Sequence, residues 1–127
     1  MSFTNFLETE ILDHVFAGAA YTAPSTKYLA LFTAISDGEA GSVTELSGDA
    51  YARQSVAFTT SGATTSNNAA VEFPTATGDW GTITHVGVYD AVSSGNLMCY
   101  ATLSSSKAID TGDVFRVPSG DLDITLN

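Results

Sequence analysis

"TITHVGVYDAVSSGNLMCYATLS", residues 82–104, holds two apolar segments around a short polar one. In the first segment Val86 and Val88 alternate with other residues, as expected for a strand with one covered face. The intervening "VSSG" has the length and the glycine of a β-hairpin loop. The stretch therefore predicts two antiparallel strands joined by a short loop.

More short strands are predicted on both sides of this hairpin. The 127 residues include 17 threonines and 14 serines, and this composition favours half-buried strands over helices. Six or seven closely spaced strands predict a mainly β fold, an antiparallel sandwich or jelly-roll-like barrel, in one domain over residues 1–127. The additional strand segments are "KYLALFTA" (27–34), "YARQSVAFTT" (51–60), "AAVEF" (69–73), "VFRVP" (114–118) and "DLDITLN" (121–127).

One amphipathic helix is predicted at the N-terminus, within residues 1–18. Phe3, Leu7, Ile11 and Val15 recur every four residues, and acidic residues occupy the other side. Gly18 stands where a left-handed residue would end the helix. A helix this short is marginal in water, so we expect its apolar face to dock on the sheet or on a neighbouring subunit.

An exposed acidic loop is predicted over residues 35–50, "ISDGEAGSVTELSGDA", because this segment has three glycines, four acids and no sustained period. Arg53 follows it and could form a salt bridge within the chain or between subunits. The loop, its flank and the start of the helix supply the candidate partner-contact residues, which are Phe3, Phe6, Asp37, Glu39, Glu45, Tyr51 and Arg53.

The charge of the chain limits its partners. Four basic and fourteen acidic residues give a formal net charge of −10, which disfavours binding to nucleic acid or to an anionic membrane. A basic protein surface remains a suitable partner. The single Cys99 cannot form an intrachain disulfide, which favours synthesis in the cytoplasm. No apolar run approaches the length of about 20 residues that a membrane span requires.

The sequence predicts no catalytic residues, no metal site and no cofactor. It lacks a glycine-rich phosphate loop, a GxSxG elbow and an HExxH pair. His85 is interpreted as a packing residue of its strand. Aspartates near the C-terminus could bind a hard cation such as calcium, although solvated turns are the favoured interpretation; they are Asp110, Asp113, Asp121 and Asp123.

Trp80 lies between "GD" and Gly81, at a turn that enters the first strand of the central hairpin. A lone aromatic side chain in a small β domain usually packs at the end of a core. A platform for carbohydrate uses the same type of residue, and sugar binding by Trp80 is therefore the alternative interpretation.

Three stretches resemble small bacteriophage virion proteins labelled tail fibre-like or head decoration proteins. They are "NFLETEILDHVFAGAAYTAPSTKYLALFTA", the middle part from "LSGDAYARQSVAF" through "SNNAAVEFPTATGDWGTITHVGVYDAVSSGNLMCYATL", and "GDVFRVPSGDLDITL". The segments "YAR" and "WGTITHVGVYDA" are the most specific. The resemblance covers nearly the whole chain and implies a non-enzymatic, structural role in the virion.

Within that role two functions are open. The absence of a fibrous repeat or coiled-coil heptad favours a capsid decoration (cement) protein that stabilises the outer head surface as a dimer or trimer. Its partners would then be the major capsid protein or other virion proteins. The alternative is a tail fibre or tail-tip component that binds a receptor or carbohydrate, with Trp80 as the candidate sugar-binding residue.

Overall fold

The computed structural model describes residues 1–127 and consists mainly of antiparallel strands with one N-terminal helix, which confirms the predicted fold class. The helix is α1 (Asn5–Leu12), continued by a π-helical turn (Asp13–Ala17). The strands are β1 (Ser2–Phe3), β2 (Lys27–Asp37), β3 (Ser42–Glu45), β4 (Gln54–Val56), β5 (Phe58–Ser61), β6 (Thr64–Asn67), β7 (Val71–Glu72), β8 (Gly81–Tyr89), β9 (Leu97–Ile109), β10 (Arg116–Val117) and β11 (Asp123–Thr125).

The largest sheet has six strands, five of them in the order β1-β9-β8-β2-β3. The sixth, β4, lies on the same edge of β2 as β3 and pairs with the start of β2, at Lys27–Leu29. The predicted hairpin is confirmed as β8 and β9, which pair from Gly81↔Ile109 to Tyr89↔Leu97. A three-stranded sheet (β11-β6-β5) and a two-stranded sheet (β10-β7) complete the fold. Long antiparallel pairing of β8 with both β2 and β9 therefore makes the centre of the molecule.

The main hydrophobic core lies between the six-stranded sheet and the smaller sheets with their connecting segments, a sandwich-like arrangement. The large sheet contributes alternate residues such as Leu29 and Leu31 of β2, and the connections contribute bulky side chains such as Phe73 and Phe115. The Phe73 and Phe115 rings meet edge to face, with centroids 5.8 Å apart. Aromatic side chains outside the long strands thus cover the side of the core that faces away from the large sheet.

An irregularity in the pairing of β8 with β9 changes the alternation expected for β8. Strict alternation places Ile83 on the side of Tyr89, away from Val86 and Val88. In the structure Ile83 pairs with Lys107 but His85 pairs with Thr102, so β9 carries three extra residues at this point. Ile83 joins Val86 and Val88 in the main core, and the strict alternation expected for Ile83 was therefore wrong.

A smaller apolar cluster covers the opposite face of the sheet and contains Phe32, Tyr89 and Leu97. Gly87 makes this packing possible, because a Cβ atom at that position would collide with the Phe32 ring and the Leu97 side chain. Both faces of the centre of the sheet are therefore buried.

The N-terminal helix is shorter than predicted, and only its beginning is packed. Phe3 belongs to β1, where it pairs with Cys99, and Thr4 caps the helix by accepting a hydrogen bond from the Leu7 N–H. Phe3 and Leu7 contact the main core, whereas Val15 is exposed, so the sheet covers only the beginning of the apolar face. The helical segment ends at Gly18 with φ of 76°. No helix in the structure is long and apolar enough to span a membrane.

Residues 35–50 form a hairpin in place of most of the predicted irregular loop. β2 continues to Asp37, and its outer part pairs with β3 from Phe32↔Glu45 to Asp37↔Ser42. The sequence pattern missed this pairing because both strands are mostly exposed here, so no alternation of apolar residues marks them. Asp37, Glu39 and Glu45 therefore lie on an ordered β-hairpin, and Asp49 follows it.

Replacing Phe73 by Ala should lower the free energy of unfolding by about 3–5 kcal/mol, because the substitution leaves a cavity in the closed end of the core. The matched control is Phe16→Ala, since Phe16 is 81% exposed whereas Phe73 is 2% exposed. The control should change stability by no more than about 0.5 kcal/mol. Urea denaturation measures both, and similar losses for the two variants would contradict this description of the core.

Candidate functional site

Three candidate contact residues, Glu45, Tyr51 and Arg53, meet in one polar cluster within the chain. Arg53 donates from Nε to Glu45 Oε2 at 2.9 Å and from Nη2 to Glu45 Oε1 at 2.8 Å. The Tyr51 hydroxyl donates to Glu45 Oε2 at 2.6 Å and accepts from the Leu31 N–H at 3.1 Å. Of the two salt bridges left open by the sequence, the structure contains the intrachain one.

The same arginine fixes the loop that joins β8 and β9. Arg53 Nη1 donates to the carbonyl oxygens of Ala91 at 2.9 Å and of Ser94 at 2.8 Å. Its guanidinium carbon lies 3.5 Å from the centroid of the Tyr89 ring, a cation–π geometry. One side chain therefore connects β3, the segment before β4 and the loop between β8 and β9.

The charges and hydrogen bonds of this cluster hold its side chains in place, and we call Glu45, Tyr51 and Arg53 the clamp. Burial alone would lower the pKa of Arg53, but the hydrogen bonds and charge of Glu45 more than offset this effect and raise it. Burial and the hydrogen bond to Glu45 raise the pKa of Tyr51 far above its usual value. Both groups thus keep their protons at neutral pH. Every buried side-chain nitrogen and oxygen in the structure has a hydrogen-bond partner.

The two other acidic candidates lie at the turn between β2 and β3. Asp37 Oδ1 accepts a hydrogen bond from the Ala40 N–H at 3.2 Å, and Glu39 Oε1 accepts one from the Tyr100 hydroxyl at 2.6 Å. A Cβ atom at Gly38 would collide with the Tyr100 ring, so the glycine lets the turn lie against that ring. The hydrogen bond to Glu39, followed by burial, raises the pKa of Tyr100 to about 12.

Phe3 and Phe6 are half-buried and lie where the helix meets the sheet. Phe3 packs against the main core, and the Phe6 ring meets the Tyr21 ring edge to face with centroids 6.4 Å apart. The seven candidate contact residues fall into two groups. Glu45, Tyr51 and Arg53 form the polar cluster, whereas the others lie at the helix start and at the β2–β3 turn, where Phe6 and Glu39 line one groove.

Trp80 is a core residue and does not offer the open ring face that sugar stacking requires. Its side chain is only 5% exposed, its Nε1 donates to the Asp49 carbonyl oxygen at 2.9 Å, and its ring meets Tyr51 edge to face. The carbohydrate-platform interpretation is corrected accordingly. The sequence could not show this because the covering residues lie in distant segments.

Both histidines, and Asp113 and Asp123 among the C-terminal aspartates, have hydrogen-bond partners within the chain. His85 is half-buried with Nδ1 2.7 Å from the Thr84 hydroxyl, and His14 Nδ1 accepts from the Tyr21 N–H. Asp113 accepts from the Asp110 N–H at 2.9 Å, and Asp123 accepts from the Ser66 hydroxyl. No group of three or more histidine, cysteine, aspartate or glutamate side chains is placed to hold a metal ion.

The contacts of Tyr89 and Tyr100 were not predicted from the sequence. Tyr89 supplies the ring under Arg53, and Tyr100 binds Glu39 across the sheet. Their positions on the central hairpin were predicted, but the partners are 36 and 61 residues away in the chain. Only the three-dimensional pairing of β2 with β8 and of β8 with β9 brings these groups together.

Arg53→Ala should lower the free energy of unfolding by about 2–4 kcal/mol, because it leaves Glu45 without its cation and two loop carbonyls without a donor. Arg116→Ala is the control. The Arg116–Glu72 pair is exposed, with a closest N–O distance of 3.9 Å, and should contribute less than about 1 kcal/mol. Equal losses of unfolding free energy for the two variants in urea denaturation would show that the Arg53 contacts do not stabilise the fold more than an exposed ion pair does.

Stability should fall at alkaline pH because Tyr100 holds its proton more tightly in the native state. A raised native pKa contributes stability that is complete below the unfolded value of 10.0 and is lost as the pH rises through about 12. In Tyr100→Phe the free energy of unfolding should therefore decrease less steeply over this interval. Glu39→Gln, which removes the charge beside the hydroxyl, should have the same effect. If the free energy of unfolding depended on pH as steeply in both variants as in the wild type, the Tyr100–Glu39 hydrogen bond would not contribute to alkaline unfolding.

Comparison with known proteins places this arrangement in a family. The chain has no significant match among curated proteins. Its residues 2–125 match the family model described as "Podophage GP4 fiber I protein gp80". The match includes the helix, the clamp residues and all strands, so it covers the whole described fold. The chain therefore belongs to this family of phage fibre proteins, which are structural components of the virion.

Proposed function

We propose that this chain is a non-enzymatic structural subunit of a phage fibre and that it joins the fibre to other proteins of the virion. Its membership of the fibre family over residues 2–125 is the observation that carries the proposal. The fibre was the alternative in the sequence analysis, and the family description now makes it the first choice.

The geometry of the polar groups supports a structural role. Glu45 is half-buried and uses both carboxylate oxygens to accept hydrogen bonds from Arg53 and Tyr51. Burial raises the pKa of the Cys99 thiol to about 12, which keeps it in the unreactive protonated form. These groups are thus engaged in holding the fold and are poorly suited to attack a substrate.

A homo-oligomer, dimer or trimer, is part of the proposal, because repeated weak contacts give a fibre its strength without a large interface on each chain. The chain would be made in the cytoplasm of the bacterial host and assembled into the virion. Its net charge of −10 supports protein partners over nucleic acid or membrane.

Capsid decoration is the second candidate. Its support is the form of the domain: the strands enclose one main core, and the chain has no repeated unit from which a long shaft could be built. A compact domain of this kind could equally bind a repeated position on the head surface. Carbohydrate binding through Trp80 is not proposed, because the ring is buried.

Immunogold electron microscopy and quantitative mass spectrometry of purified virions distinguish the two candidates. The fibre proposal predicts gold at the fibres only and a copy number far below that of the major capsid protein. An antibody against the major capsid protein is the matched control for labelling of the head. Gold over the whole head, with a copy number near that of the capsid protein, would replace the fibre by the decoration role. Absence of the chain from virions would refute both.

A further inference from the structure

Three large apolar side chains stand exposed at the end of the helical segment. Leu12, Val15 and Phe16 are 57%, 60% and 81% exposed, and Phe16 is the most exposed large apolar residue of the chain. Their spacing of three and four residues places them on one side of the helical segment. We call these three residues the apolar turn. Grouped exposed apolar residues, unlike scattered ones, mark a surface that a partner covers.

The segment that follows holds the apolar turn in a fixed orientation. Tyr21 donates its backbone N–H to His14 Nδ1 at 3.0 Å and packs its ring edge to face on Phe6. The Tyr21 hydroxyl also lies 3.9 Å from Met98 Sδ of β9. The chain therefore folds back along the helix and braces it against the sheet. Side chains that are held in place before binding lose less conformational entropy on binding than mobile ones.

Carboxylates lie on the same helical segment as the apolar turn. Glu8 and Asp13 are exposed and Glu10 is half-buried. Residues 1–26 contain no lysine or arginine. We call these three carboxylates the acidic end; they are Glu8, Glu10 and Asp13.

We infer that the apolar turn docks into an apolar pocket rimmed by lysine and arginine side chains on another virion protein, an inference that rests on the proposed function. Phe16 is the anchor, since aromatic side chains dominate the binding energy of interfaces. The acidic end supplies the complementary charge that steers and orients the encounter.

A second copy of this chain fits the apolar turn less well. A symmetric contact would bring two acidic ends together, and like charges repel. The chain has only four basic residues. Arg53 is already bound to Glu45, and Arg116 lies beside Glu72 on a different sheet. The other two, Lys27 and Lys107, lie on separate strands, β2 and β9. The charge of the chain therefore points to a basic partner of another kind.

The test compares Phe16→Ser and Leu12→Ser with Leu126→Ser in phage that carry each variant gene. Leu126 is the matched control because it is 58% exposed, like Leu12, and lies outside the apolar turn. Thermal unfolding first establishes that all variants are folded. The amount of this chain in purified virions, relative to the major capsid protein, should fall about tenfold or more for Phe16→Ser. It should also fall for Leu12→Ser and stay at the wild-type level for Leu126→Ser.

A photo-crosslinking phenylalanine analogue at position 16 identifies the partner. The expected product joins position 16 to a different virion protein near lysine or arginine residues, with a yield that falls as salt is raised. Normal incorporation of Phe16→Ser, or a crosslink to a second copy of this chain, would overturn the inference while leaving the fibre proposal intact. Absence of the wild-type chain from virions would instead refute the proposed function, and the inference with it.

Discussion

The bidentate pair between Arg53 and Glu45 is the interaction on which the arrangement of the outer strands and loops depends. A planar guanidinium has five donors in a fixed geometry, so a single side chain can hold a carboxylate, two carbonyl groups and the face of Tyr89. A buried ion pair stabilises a fold only when its remaining polar atoms are also satisfied. Here Tyr51 completes the set by donating to the same carboxylate. The β2–β3 hairpin and the β8–β9 loop are thereby held in one fixed relation.

Local sequence pattern predicted those elements whose side chains alternate between core and solvent. The β8–β9 hairpin is the clearest case, because its apolar residues flank a short loop. The irregularity near Thr84 was not predictable, since threonine and histidine suit either face of a strand and the extra residues lie in β9, between Thr102 and Lys107. The helix was predicted from its four-residue period, but this period does not say how far along its length the sheet continues to cover it. Val15 and Phe16 lie beyond that cover.

The candidate site was predicted in part, for a related reason. Tyr51 and Arg53 were both named as candidate contact residues, but the intrachain bond of Arg53 to Glu45 is a contact made by the folded hairpin. Asp37 and Glu39 were placed in an irregular loop because exposed strands carry no apolar alternation. Trp80 was left between a packed and an open role, and its burial depends on Tyr51 and Asp49, which reach it from another segment. In each case the missing information is long-range pairing and not residue type.

An exposed apolar group is a hazard for a protein that assembles at high local concentration, because identical copies can associate through it. The carboxylates of the acidic end counter this hazard. At ordinary pH they make contact between two copies at the apolar turn repulsive, whereas a basic partner removes this repulsion on binding. Affinity can then come from Leu12, Val15 and Phe16, while the choice of partner comes from charge. The same division explains how a chain with a net charge of −10 can keep an aromatic side chain 81% exposed without an apolar partner within its own fold.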